Sequence, residues 1–233
     1  MSDPDNRRRS VEPTLAQLLE DRRSCRAFTS TPVPEEVLER MLALAQNAPS
    51  WCNTQPWAVD LLSGLALERL RTQLRRHIHD GGISDPDFMM PSAYSGVYRT
   101  RRRESGWQLY NAVGVVRGDR ASSSLQASRN FDFFDAPHVM IVSTAREQGT
   151  YGAVDGGIYL GMLLLAAHSL GVAAVAQAAL AHHSAFLRSF LDLGDDRSIL
   201  LAVSLGYADD QHPANSFRTT RAPLSEVVRY HSE

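Results

Sequence analysis

The stretch that most constrains this chain is GAVDGGIYLGMLLLAAHSLG, residues 152–171. Its centre, IYLGMLLLAAH, is the most apolar run in the sequence, near residues 158–168. A helix built from it carries apolar groups on almost every side, so the pattern predicts burial nearly all round, with Gly171 as the stop. The run reads as too short to cross a bilayer, and Asp155 and His168 bound it. Any fold must therefore be assembled around this helix, from elements that bring apolar faces of their own.

Those elements can be read along the chain. Leu15, Leu18 and Leu19 fall at helical spacing and predict a first helix from about Thr14 to Arg22. STPVPEEVLERMLALAQNA predicts a second, with Pro34, Glu35 and Glu36 in its first turn and Val37, Leu38, Met41, Leu42 and Leu44 on its buried face. Pro49 ends it. WAVDLLSG reads as a strand and Leu67 to His79 as a third helix. FFDAPHVMIVST and SILLAVSLGYA each hold a buried strand, and VAAVAQAAL follows the apolar helix. Residues 80–107 are rich in Gly, Pro, Ser, Tyr and Arg, and they read as a long loop, functional or disordered. Residues 1–12 read as a flexible polar arm. The tail, from about residue 211, is extended and polar with a short amphipathic end.

With 233 residues, no repeat and no shift in composition, residues 13–233 are expected to form one domain. The net charge of −2 gives no global basic field toward nucleic acid or a membrane. All 24 basic residues are Arg, which codon usage explains, so any single Arg is weak evidence of Arg chemistry. Cys25 and Cys52 cannot make a disulfide framework and fit a reducing compartment. The N-terminus has no apolar signal core. A soluble cytoplasmic protein is expected.

Three short motifs carry chemistry. DRRSCRAF concentrates Arg22, Arg23, Ser24 and Arg26 where helix gives way to extended chain. Guanidinium groups pair with phosphate oxygens in a fork and a hydroxyl adds a donor, although a solvated charge run would look the same. The tail adds Arg218 and Arg221. APSWCNTQPW sets the amides of Asn53 and Gln55 beside the flat rings of Trp51 and Trp57. Amides match the edge of a pyrimidine-like ring, and apolar groups cover its face. A phosphate clamp with an amide-lined loop suits a phosphorylated heteroaromatic cofactor. The chain has no GxGxxG, P-loop, CxxC or HExxH pattern, and His182 and His183 lack further ligands at metal-binding spacing.

Taken in order, RRSCRAF, APSWCNTQPW, GVAAVAQAAL, SLGYAD and NSFRTTRAPLSEVV resemble the FMN-dependent nitroreductase family over residues 14–230. The resemblance implies an α+β fold, a central and mostly antiparallel sheet flanked by helices, in an intertwined homodimer. Two FMN sites would lie at the subunit interface, with the tail (211–233) reaching the partner. It implies that Arg22, Arg23, Ser24 and Arg26 hold the FMN phosphate and ring edge, closed by Arg221 with help from Arg218. Pro49, Ser50, Trp51, Asn53 and Gln55 would reach the flavin, the first three from the other subunit. The backbone of Ala176, Gln177 and Ala178 would approach flavin N5, and Asp155 would fall near the pyrimidine edge. NADH or NADPH would reduce the flavin, which would pass the hydride to a small aromatic acceptor such as a nitroaromatic or quinone. The 80–107 segment is similar to that of a nitrobenzoate-reductase branch. It reads as a lid in which Tyr94, Tyr98, Arg99 and Arg102 select substrate. Another reaction on the same fold (ring dehydrogenation, reductive dehalogenation or flavin fragmentation) and a non-catalytic flavin-binding protein are the alternatives.

Overall fold

The computed structural model describes residues 13–232, so the arm expected over residues 1–12 lies outside the described residues. Four strands, β1 (Trp57–Ser63), β2 (His138–Ala145), β3 (Ala173–Gln177) and β4 (Arg197–Gly206), form one sheet in the order β1-β2-β4-β3. Every pair is antiparallel. Seven helices are described: α1 (Leu15–Asp21), α2 (Glu35–Ala45), α3 (Gly64–His79), α4 (Gly96–Ala112), α5 (Arg120–Ser128), α6 (Gly149–Ser169) and α7 (Ser184–Leu191). The α+β expectation with an antiparallel sheet holds.

The sheet is covered on both sides, which explains why β2 and β4 read as continuous apolar runs rather than alternating ones. Alternate residues of β2 still divide by face. Met140 and Val142 pack with Leu38 and Met41 of α2 and Tyr159 and Leu163 of α6. Val139 and Ile141 pack with Leu67, Leu70 and Leu74 of α3 and Leu187 of α7. Between Val142 and Ser143 the β2–β4 register shifts, so that Val142 pairs with Leu201 and Ser143 with Ile199. The skipped Leu200 points at Gly156 of α6, where a Cβ would lie 2.3 Å from its Cδ1.

The apolar helix departs from its expected surroundings. Together with the short 3-10 turn before it, from which Gly149 at φ 52° separates it, the span Arg146–Ser169 is long and apolar enough by length and composition alone to cross a membrane. Residues 158–168 alone are too short to cross, because they are only the densest apolar part of α6. Here one face packs on the sheet, and the opposite face, Tyr151, Val154, Ile158 and Met162, stays exposed at helical spacing. Burial all round is therefore corrected for the single chain. Gly171, at φ 74°, stops the helix as expected. Its N–H donates to His168 and that of Val172 to Ala167, which caps the last carbonyls.

Other boundaries moved. Leu44, expected on the buried face of α2, is exposed, as are Leu15 and Leu19 of α1. α3 begins three residues before Leu67. The expected loop of 80–107 is helical from Gly96 onward.

Candidate functional site

The first motif is held in place by the sheet edge. Thr14 caps α1 in a reciprocal capping box with Gln17, and Arg22 is the C-cap residue. The chain then runs beside β3: Cys25 N–H donates to Ala174 at 3.1 Å, and Ser24 bridges Ala174 in parallel. Cys25, Ala27 and Phe28 turn into the core. Arg22, Arg23, Ser24 and Arg26 line a cavity of about 670 Å³. Phe217, Arg218, Thr219 and Arg221 of the tail form its other wall, with Ser105 of α4 at the side. All four first-motif residues and both tail arginines expected at the phosphate are thus brought together.

The electrostatics of this cavity are unbalanced. Asp210 takes Arg23 in an ion pair. No described carboxylate lies within ion-pair distance of Arg22, Arg26, Arg218 or Arg221. Burial, and then the neighbouring Arg221 guanidinium, pull Arg22 below the usual guanidinium value. Burial does the same to Arg26. Glu20 and Asp21 also line the cavity but pair with none of these four guanidinium groups; like charges left unpaired favour an anion, and a phosphate monoester carries roughly two negative charges near neutral pH. The residues present fit the phosphate of FMN.

The loop over 48–57 is a hydrogen-bonded knot. Ser50 Oγ accepts from Gln55 N–H at 2.9 Å, and Trp51 N–H points at both carboxylate oxygens of Asp155, 3.1 and 3.2 Å away. The Trp51 ring lies on Tyr151 of α6, centroids 4.5 Å apart. Cys52, Asn53 and Gln55 have φ of 51°, 56° and 48°, in the left-handed region that side chains disfavour. Gln55 donates to Asn53 and accepts from Gln46 Nε2, while Gln46 accepts from Trp57 Nε1. Asp155 holds the loop through the Trp51 N–H. None of Pro49, Ser50, Trp51, Asn53 or Gln55 lines the arginine cavity. One chain does not unite the two motifs.

At the end of β3, Ala176 and Ala178 are exposed and Gln177 is buried. The Gln177 amide donates to the Asn130 carbonyl at 2.9 Å and accepts from Ser204 Oγ. Its side chain therefore faces the core, and only the flanking alanines and the backbone are presented outward.

The 80–107 segment is tied at its start. Asp85 accepts from Ala185 N–H, and the buried Asp87 accepts from Arg188, Arg146 and Ile199 N–H. α4 then turns Val97, Arg101, Glu104, Ser105 and Gln108 to the tail, around a second cavity of about 260 Å³. Arg101 pairs with Glu226 at 2.6 Å. Tyr94, Tyr98, Arg99 and Arg102 line neither this cavity nor the larger one, and Arg102 lies over the Tyr94 ring at 5.3 Å. Tyr98, Arg99 and Arg102 occupy other faces of α4, because its 17 residues present one helical face to the tail at a time, and Tyr94 lies before the helix begins.

Comparison with known proteins agrees with this geometry. The description "Nitroreductase family" matches residues 19–207. The chain belongs to the nitroreductase family. It is similar to nitroreductase NfnB of Mycolicibacterium smegmatis, 35% identical over 92% of this chain and 91% of the relative. It is also similar to a 4-nitrobenzoate reductase of Nocardioides sp., 33% identical over 91% and 88%. A solved structure described as the FMN and NADPH-dependent nitroreductase NfnB of Sphigopyxis sp. strain HMH superposes with a TM-score of 0.91, covering 95% of this chain and all of that one at 30% identity.

In this nitroreductase chain, sequence reading missed the residues that hold the motifs rather than form them. Asn215, 4% exposed, accepts from Arg26 N–H and donates to the carbonyls of Ala27 and Asp209, tying the first motif to the tail. Asp210, Asp87 and Asn130 were also missed. Asp87 offered the one usable signal, an acid next to Phe88 and followed by Met89 and Met90. Nothing local marks the others.

Proposed function

We propose that the protein is an FMN-dependent oxidoreductase that uses NADH or NADPH to reduce a small aromatic acceptor such as a nitroaromatic or quinone, working as a cytoplasmic homodimer. The observation that carries this is the meeting of Arg22, Arg26, Arg218 and Arg221, from both ends of the chain, around one cavity, none of them in an ion pair with a described carboxylate although Glu20 and Asp21 also line it. The relatives described as FMN and NADPH-dependent and as a 4-nitrobenzoate reductase support it.

Bound FMN supplies the redox centre, taking hydride from a nicotinamide and passing it on. The arginines and Ser24 hold its phosphate through charge-assisted contacts. Ala176 and Ala178 offer backbone at the ring edge without side-chain bulk. Asn53 and Gln55 present amides, and the loop that bears them meets the cavity only when a second copy is present. The exposed stripe Tyr151, Val154, Ile158 and Met162 is the apolar face that second copy covers, with Leu224, Val227 and Tyr230 of the tail exposed for the same purpose. Residues 13–233 act as one domain, with segment 80–107 as the wall that sorts acceptors and Tyr94, Tyr98, Arg99 and Arg102 at its outer side. Free Cys25 and Cys52 suit a reducing compartment.

Protein supplied with excess FMN and then desalted should keep an oxidised-flavin spectrum, bleach on mixing with NADH or NADPH, and recover with 4-nitrobenzoate or a quinone. Protein that retains no flavin, or flavin that neither reductant bleaches, would overturn the reading.

A further inference from the structure

Asp155 is the one acid in α6, a helix otherwise built of apolar residues, glycines and a few neutral polar groups. It is 3% exposed, and its hydrogen-bond partner among the described residues is the Trp51 N–H. Burying a carboxylate against so few donors is costly, and an apolar residue of similar volume would suit the surrounding core better. Stability of the helix therefore does not explain it.

The loop it holds does. Three non-glycine residues in six, Cys52, Asn53 and Gln55, adopt left-handed backbone. Such strain persists only where the surroundings over-determine it. α6 grips this loop twice, at the Trp51 N–H through Asp155 and at the Trp51 ring through Tyr151, one turn earlier on the same helix face. Both grips act on the residue immediately before the first left-handed position.

We infer that Asp155 is a positioning residue: it locks the 50–55 loop in its left-handed form and so sets where Trp51 and Asn53 stand against the cofactor. This rests on the flavin reading of the site. Asp155 touches no reacting atom. It acts through the backbone of Trp51, and the same helix face that carries it continues into the stripe a second copy would cover, so loop shape and assembly are set by one element.

The test uses the parent, Asp155→Leu, Asp155→Asn and, as a control on the phosphate contact, Arg221→Ala, all in the full chain. In cofactor-free Asp155→Leu, the Trp51 amide should exchange with solvent at least about tenfold faster than in the parent, with thermal stability kept. FMN affinity should fall, and kcat/KM for 4-nitrobenzoate at saturating FMN should fall by about a hundredfold, the scale of a small misplacement at a reacting centre. Asp155→Asn keeps one acceptor oxygen and should restore Trp51 protection and most of the activity. If Asp155→Leu does not fold, Asp155→Ala takes the same measurements. Unchanged amide exchange and unchanged kcat/KM in a folded variant would overturn the inference, as would equal losses in the Asn and Leu variants. The parent chain separates the two readings: if it takes up no FMN, the flavin reading itself fails, whatever Asp155 does, whereas intact FMN affinity in Arg221→Ala removes only that arginine from the phosphate.

Discussion

The backbone N–H of Arg26 donates to the side chain of Asn215 at 2.8 Å, joining positions 189 residues apart. That bond, with the two the Asn215 amide donates to Ala27 and Asp209, decides that the arginines of the first motif and of the tail share one cavity. Asn215→Ala removes all three and leaves the part-buried Arg26 N–H without a partner. At roughly 1 kcal/mol per bond, with a further desolvation cost, the expected loss is about 2–4 kcal/mol in urea unfolding. FMN affinity should weaken alongside, because the tail is no longer tied to Arg26.

Arg221→Ala should act in opposite directions on the empty and the loaded protein. Losing one charge-assisted contact of roughly 1.5–3 kcal/mol weakens FMN by about ten- to a hundredfold. The cofactor-free protein should be no less stable, since Arg22 is relieved of a like charge. Titration of apo-protein with FMN and a thermal melt of the same sample read both. A variant that destabilises the empty protein and leaves FMN affinity untouched would mean that Arg221 is structural.

Asp87 should prove to be the anchor of the 80–95 stretch. Its carboxylate is 5% exposed and serves Arg188, Arg146 and Ile199 N–H. Removing one partner of a buried ion pair costs about 3–5 kcal/mol, and the half-exposed Arg146 places Asp87→Ala at the lower end. Freed at its start, the segment should be cut faster by trypsin at the exposed Arg99 and Arg101–Arg103. Asp87→Asn, which can still accept from Ile199, should lose less on both readouts.

Acid should destabilise the protein through its buried histidines. His138 Nε2 accepts from Val33 N–H at 2.9 Å, which needs an unprotonated nitrogen, and burial pushes His138 below the ordinary histidine value. Burial also pushes down His168 and His183. The unfolded chain then binds more protons than the folded one just below the unfolded value of roughly 6.5. Stability is therefore full above that pH and is lost as pH falls toward the lower folded values. Urea midpoints from pH 7.5 to 5 should decline, and His138→Gln, which keeps an acceptor and does not titrate, should flatten part of the slope. A steeper slope in His138→Gln would refute this assignment.

How much of this could be read from the sequence depended on the kind of interaction. The apolar density of residues 158–168 and the stop at Gly171 set α6 because both are local. The motifs Arg22–Arg26 and Arg218–Arg221 were legible because their residue types match phosphate chemistry, whatever the distance between them. α4 was not legible: three consecutive arginines, Arg101–Arg103, break any apolar periodicity, and it buries no residue fully. α7 was missed although Phe186, Leu187, Phe190 and Leu191 stand at helical spacing, because eight residues give barely two turns of that pattern. The roles of Asn215, Asp87 and Asp155 depend on which distant backbone group each side chain meets, and spacing along the chain does not encode that.

The crowding of Arg22, Arg26, Arg218 and Arg221 carries a consequence for how long each copy of the protein survives. Burial of Arg22 and Arg26, and the nearness of Arg221 to Arg22, weaken the empty form, and any ligand that binds only the folded state raises stability with its concentration. Copies made in excess of the available flavin would open more often and be degraded first. The level of the protein in the cell should then track flavin supply with no dedicated regulator, set by the same guanidinium groups that hold the phosphate.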